Sequence, residues 1–263
     1  MRRIAFAIAA LTAAITPAAA QQADTPPVFQ FEGLEPSDYP LGTRQYLVYV
    51  QRDGAAPQMT MLWERTMRVT EIDGVPMIET LQSWHGEQDV LDREVYSLNR
   101  LEDFSPVYHR SERGDGVIEA FRFEDGQVIG DDSVEGNAKV DFRAEMSAAT
   151  LNWELDLETF SLLPLEAGVT VWLDFHHPGA DAPPQPYRHD VIGEETLTGP
   201  MGEPIDTWML EIDHGPSQAV FWVSKETGQV IKSKDSFSAG ARYKVLLATV
   251  SQAPSHALDP NTE

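Results

Sequence analysis

The sequence predicts a mainly β protein: a curved antiparallel sheet or a partly open β-barrel with one or two short helices. Three observations predict it. Asp-Gly pairs at 53–54, 73–74, 115–116 and 125–126 fall between or beside runs of apolar and polar residues, which is a strong short-range hairpin signal. Eighteen glycines and 18 prolines in 263 residues supply the turns that many short strands require. The main exception to strand-like spacing is 151–163, where Leu151, Leu155, Phe160 and Leu163 are interleaved with Asp156, Glu158 and Thr159 at helical intervals. About a dozen antiparallel strands cannot lie flat in one twisted sheet, so they must curl or stack.

Taken in order, residues 1–20 carry Arg2-Arg3, an apolar run and Ala18-Ala19-Ala20, the layout of a secretory signal peptide cut after Ala20. The run is too short to span a bilayer. The arginine pair lacks a twin-arginine context, so ordinary secretion to the periplasm or beyond is expected. Residues 21–42, with Pro26, Pro27, Pro36 and Pro40, read as a flexible, extended lead-in. A single β-rich domain is expected over 43–250 and a flexible tail over 251–263. Within the domain, 46–50 is a strand, 59–72 and 75–84 form a hairpin, and 117–123 lies between two Asp-Gly turns. Pro164 should end the helix at 151–163. Strands follow at 169–176, 187–197, 205–212, 219–224, 229–236 and 242–250, with turns at Asp213-His214-Gly215-Pro216 and Lys225-Glu226-Thr227-Gly228.

Composition excludes several classes of function. With 42 acidic and 19 basic residues the net charge is −23, which repels phosphate backbones and anionic membrane surfaces, so no nucleic-acid partner is expected. The absence of cysteine removes disulfides, thiolate metal sites, thiol catalysis and a cysteine-linked lipid anchor. No stretch beyond the leader is long and apolar enough for a membrane-spanning helix.

The chemical motifs are sparse. His176-His177 with His189 or His214 would need folding to converge on a metal, and neighbouring strand residues point to opposite faces, so loop histidines are the expected reading. Asp131-Asp132-Ser133-Val134-Glu135-Gly136-Asn137 lacks the alternating ligands of a calcium loop and reads as solvated acidic surface. No Gly-x-Ser-x-Gly elbow, Walker loop or dinucleotide glycine fingerprint occurs. No catalytic residue, metal ligand or cofactor is assigned.

The C-terminal half has a specific word order. Asp156-Leu157-Glu158-Thr159-Phe160-Ser161-Leu162-Leu163-Pro164-Leu165-Glu166-Ala167-Gly168 is followed by Val191-Ile192-Gly193-Glu194-Glu195 and then by Phe221-Trp222-Val223-Ser224-Lys225-Glu226-Thr227-Gly228-Gln229-Val230-Ile231-Lys232. This resembles the Gram-negative envelope family catalogued as domain of unknown function 3108, best over about 150–247 and only topologically over 43–149. The resemblance implies a signal-bearing periplasmic protein whose antiparallel sheet curves in the style of the unclosed barrels of lipoprotein-localisation carriers. It transfers no catalytic motif.

Met59, Met61, Trp63 and Arg65 share one strand face, and a thioether and indole stripe can line an adaptable apolar cleft. Met61, Trp63, Trp84, Trp172, Trp208 and Trp222 are the candidate ligand-binding residues. The function expected is a non-enzymatic periplasmic protein that binds an apolar ligand, such as a lipid, or an envelope protein in a concave sheet. The alternatives are an envelope assembly factor acting through surface contacts and an uncharacterised hydrolase. The main reading depends on an apolar trough inside the sheet.

Overall fold

The computed structural model describes residues 27–213 and 218–248. The expected signal peptide, residues 21–26 of the lead-in, the His214 turn and the tail over 251–263 lie outside the described residues. Among the described residues the alternating runs become 15 strands. The first half contains β1 (Gly42–Arg52), β2 (Gln58–Ile72), β3 (Val75–Gly86), β4 (Arg93–Arg100), β5 (Pro106–Arg113), β6 (Ile118–Glu124), β7 (Gln127–Gly130) and β8 (Arg143–Glu145). After β9 (Thr150–Asn152) come a 3-10 turn (Trp153–Leu155) and helix α1 (Asp156–Ser161). The second half continues with β10 (Thr170–His176), β11 (Gln185–Thr198), β12 (Pro204–Asp213), β13 (Gln218–Ser224), β14 (Val230–Phe237) and β15 (Gly240–Leu246).

The Asp-Gly signals are realised in backbone geometry. Asp73 and Gly74 have φ of 52° and 79°, and Asp125 and Gly126 have φ of 52° and 73°. Two consecutive positive φ values match the twist of the flanking strands, which is why these pairs close β2–β3 and β6–β7.

All strands belong to one sheet, in the order β8-β7-β6-β5-β4-β3-β2-β1-β15-β14-β13-β12-β11-β10-β9. Every pairing is antiparallel except β9 with β10. Each half is a chain of neighbours, and the halves join where β1 pairs with β15, Tyr46 lying opposite Leu246. The sheet curves but does not close, in keeping with the expected curved antiparallel sheet.

Helix α1 fills the concavity. Leu155, Leu157 and Phe160 are buried, and Phe160 meets Phe221 of β13 with ring centroids 4.7 Å apart. The helix is shorter than the expected 151–163, because Leu151 and Asn152 instead extend the edge of β10 as β9. The chain leaves the helix before Pro164, as the proline requires. On β10, Phe175 stands on the face towards the helix, while His176 turns the other way into the rings of Phe121, Phe123 and Phe142. This end of the sheet is thus tucked against β6 and the segment leading into β8.

Residues 27–41 contain no strand or helix and turn at 36–38, and their aromatics are packed against the sheet. Phe31 and Tyr39 are buried, Phe29 donates its backbone N–H to the Trp172 carbonyl at 2.8 Å, and the Tyr39 hydroxyl donates to the Leu101 carbonyl at 2.5 Å. Pro27, Pro36 and Pro40 restrict the backbone here; the aromatic side chains decide where it lies.

The turn at 225–228 shows why a glycine ends it. Gly228 has a φ of 70°, and a Cβ there would sit 2.7 Å from the Ser161 carbonyl oxygen at the end of α1. Gly228→Ala should therefore destabilise the fold by about 1–3 kcal/mol through strain and contact together, read as a lower urea midpoint. An unchanged midpoint would show that the turn does not press on the helix.

Candidate functional site

The concave face is built by alternation. On β1, Tyr46, Val48, Val50 and Arg52 alternate onto one face, and the antiparallel register sets Lys244 opposite Val48 and Arg242 opposite Val50. On β2, Met61, Trp63 and Arg65 join this face, with Gln82 and Trp84 beside them on β3. Trp153, just before α1, projects over the row and divides the remaining space in two.

The inner space, about 110 Å³, lies against Val48, Met61, Trp63 and Trp84, with Asp156 and Lys244 at its base. The outer space, about 480 Å³, is walled by Val50, Trp153, Ala219 and Phe237, with Arg52, Arg242 and Asp235 among its polar residues. Trp153 and Arg242 border both. The outer volume falls within the range of small-molecule sites, whereas the inner one alone is too small for most of them. A larger cavity, about 570 Å³, lies beside the N-terminal segment, but Glu32, Glu102 and Asp103 line it and it is as polar as it is apolar. An acidic, half-polar cleft suits an apolar ligand poorly, so the smaller groove is the better candidate.

Met61, Trp63 and Trp84 of the expected set are brought together here. The Trp63 and Trp84 rings are 5.0 Å apart, and both indole N–H groups donate to the Gln82 side-chain oxygen, at 3.1 and 3.3 Å. Gln82 in turn donates to the Glu154 carbonyl at 2.9 Å. The polar edges of the two indoles are therefore satisfied inside the fold. The other three tryptophans are elsewhere. Trp222 is on the opposite face of the sheet, where its N–H donates to Glu195 at 2.7 Å and Lys232 lies 4.2 Å from its ring. Trp208 is covered by Lys225 at 3.7 Å, and Trp172 lies across from Arg188 on the face of β10 opposite Leu173. Residue type grouped these three with the site; the two-residue alternation turns Trp172 and Trp222 to the other face, whereas Trp208 shares the face of Leu210 and Ile212 and packs against the main core away from the groove.

Beneath the groove, α1 brings two acids into the interior. Glu158 accepts from the Arg65 Nε at 2.9 Å and pairs with Arg44 at 3.4 Å; Asp156 pairs with Lys244 at 3.6 Å and Arg65 at 3.9 Å. Arg65 is fully buried and also lies 4.3 Å from the Trp63 ring. Burial raises the Glu158 pKa, but the charges of Arg65 and Arg44 more than offset it, leaving the carboxyl below its ordinary value. Asp156 is instead held above its ordinary value, because burial outweighs Lys244 and Arg65. The expected hollow trough is thus partly occupied by a helix and its ion pairs, and the open part is the groove beside Trp153.

Residues 45–246 match the family described as protein of unknown function (DUF3108). The chain belongs to the DUF3108 family. No curated protein matches the sequence. Solved structures give remote likenesses only. The hypothetical lipoprotein YmcC from Escherichia coli K12 is 13% identical, with 77% of this chain and 86% of that chain covered and a TM-score of 0.29. A DUF1329 family protein from Desulfovibrio piger is 11% identical, with 78% and 83% covered and a TM-score of 0.30. Neither likeness bears on the chemistry of the groove.

This DUF3108 chain also contains a serine–histidine contact that the sequence did not single out. Ser97 Oγ lies 3.1 Å from His109 Nδ1, which Asn152 approaches at the same distance. Both residues are buried, and desolvation with Arg93 nearby lowers the His109 pKa to about 3. Such an imidazole is too weak a base to activate the hydroxyl near neutral pH, and substrate could not reach it without opening the core. The contact is a packing device. Among the other histidines, His177 lies in the loop after β10, as expected, and stacks on Trp153, whereas His176 ends β10 and His189 is a β11 residue against Phe160 and Phe175. No group of three or more potential metal ligands occurs among the described residues. In the 131–137 loop, Asp131 is buried and receives Arg122 and the backbone and hydroxyl of Ser133, so this acid belongs to the turn and not to solvated surface.

Proposed function

We propose that this chain is a non-enzymatic protein of the Gram-negative envelope that holds an apolar ligand, or an apolar segment of an envelope partner, against its concave face beside Trp153. The observation that carries the reading is the groove itself. Trp153, Val50, Ala219 and Phe237 give it apolar walls, with Met61 and Trp84 in the adjoining recess. Contact with such walls contributes roughly 25 cal/mol per Å² of apolar surface removed from water and needs no cofactor. The envelope location rests on the leader-like sequence at 1–20 and on the resemblance to an envelope family. The acidic exterior keeps the loaded protein dispersed.

Titration of the purified protein with the neutral fluorophore N-phenyl-1-naphthylamine should give saturable binding at one site. Trp153→Ala should weaken it about tenfold or more, whereas Trp208→Ala, outside the groove, should leave it unchanged. Absence of saturable binding to the native protein, or equal binding by Trp153→Ala, would overturn the reading.

A further inference from the structure

We infer that the occupant of this groove is an anionic amphiphile, its chain lying against Trp153 and Phe237 and its carboxylate or phosphate head held at Arg52 beside Arg242. The inference rests on the apolar-groove reading and adds the charge of the ligand. It starts from the register of β1 and β15, which places Arg52, Arg242 and Lys244 on the same concave face. Lys244 is paired with Asp156, and Arg242 with Asp235 at 2.6 Å. Arg52, at the outer end of the row, makes no ion pair among the described residues. Of the cations lining the two spaces beside Trp153, Arg52 alone lacks a carboxylate partner among the described residues.

The surrounding charges sharpen the point. The carboxylate lining the outer space is Asp235, already engaged by Arg242, so Arg52 leaves that wall with a net positive charge. The larger cavity beside the N-terminal segment carries Glu32, Glu102 and Asp103 instead. An anionic head is therefore repelled from most of this surface and accepted at one end of the groove. A guanidinium suits either head group, since its planar donors match two oxygens at once. An exposed pair contributes little on its own, so the head selects and orients while the apolar chain supplies most of the affinity.

The test uses 11-(dansylamino)undecanoic acid and its uncharged methyl ester with the native protein and Arg52→Glu. The acid should bind the native protein about fivefold tighter than the ester, an advantage that shrinks near 0.5 M salt. Arg52→Glu should weaken the acid about tenfold and leave the ester within twofold. Equal affinities for acid and ester, unaffected by Arg52→Glu, would overturn the charge assignment and leave the apolar groove standing. Failure of both probes to bind the native protein would overturn the groove reading as well. Displacement of the bound acid by oleate alone identifies a carboxylate head; displacement by lysophosphatidylglycerol alone identifies a phosphate head. Displacement by both supports the shared anionic recognition, and displacement by neither counts against it.

Discussion

Arg65→Met should lower stability by about 3–5 kcal/mol, because it leaves the Glu158 carboxylate in the interior with only Arg44 nearby, at 3.4 Å. Methionine nearly fills the volume of the arginine stem, so the loss would report the charge more than a hole. The double variant Arg65→Met, Glu158→Met removes both charges and should recover most of that loss, since a buried ion pair exchanged for packed apolar groups is often close to neutral. Urea unfolding of the two single variants and the double variant gives the coupling directly. Additive losses would show that the pair does not act as a unit.

Acidification should weaken the fold between about pH 6.5 and pH 3. His109 and His176 are both buried, and each has its pKa lowered to about 3, chiefly by desolvation. Arg93 adds to the effect at His109; His109, His177 and Lys139 add to it at His176. Below about 6.5 the unfolded chain binds protons that the folded chain refuses until near 3, so stability falls with falling pH across that window. Each imidazole contributes a slope of up to about 1.4 kcal/mol per pH unit there. Glu158, with its pKa lowered in the fold, adds a further loss as pH falls below the ordinary glutamate value. Asp156, with its pKa raised, acts in the opposite sense and gains stability as it takes up a proton. Urea midpoints measured from pH 7 to pH 4 should decline for the native chain and decline less steeply for His176→Leu. Parallel profiles would mean that His176 is not the group refusing the proton.

The two largest hairpin signals were legible because they are local: Asp73-Gly74 and Asp125-Gly126 carry their own backbone requirement. The strands β4 and β5 were not. Their inward positions hold Ser97, Asn99, His109 and Ser111, all buried, so the apolar alternation that announces a strand is missing where the sheet faces the polar residues before α1. The helix was visible at its proline end and overextended at the other, because β9 is defined by pairing with a strand some twenty residues later. At the site, residue type found Met61, Trp63 and Trp84. It could not find Val50, Ala219, Phe237 or Arg52, which meet only through the register of β1, β15, β14 and β13. Nor does composition show that two acids of the helix would be matched by Arg44, Arg65 and Lys244 from distant strands.

The pairing of β1 with β15 also sets an order of events in biosynthesis. The first and last strands are neighbours at the middle of the sheet, and Tyr46 waits for Leu246. Every other antiparallel neighbour arrives soon after its partner, so each arm can zip up from nearby residues while the chain is still being made. The central join closes a loop of nearly the whole domain, and until it does, β1 and β15 each present an unpaired edge to whatever else is in solution. The point at which this sheet is most continuous in the finished protein is the point at which the nascent one is most exposed to aggregation.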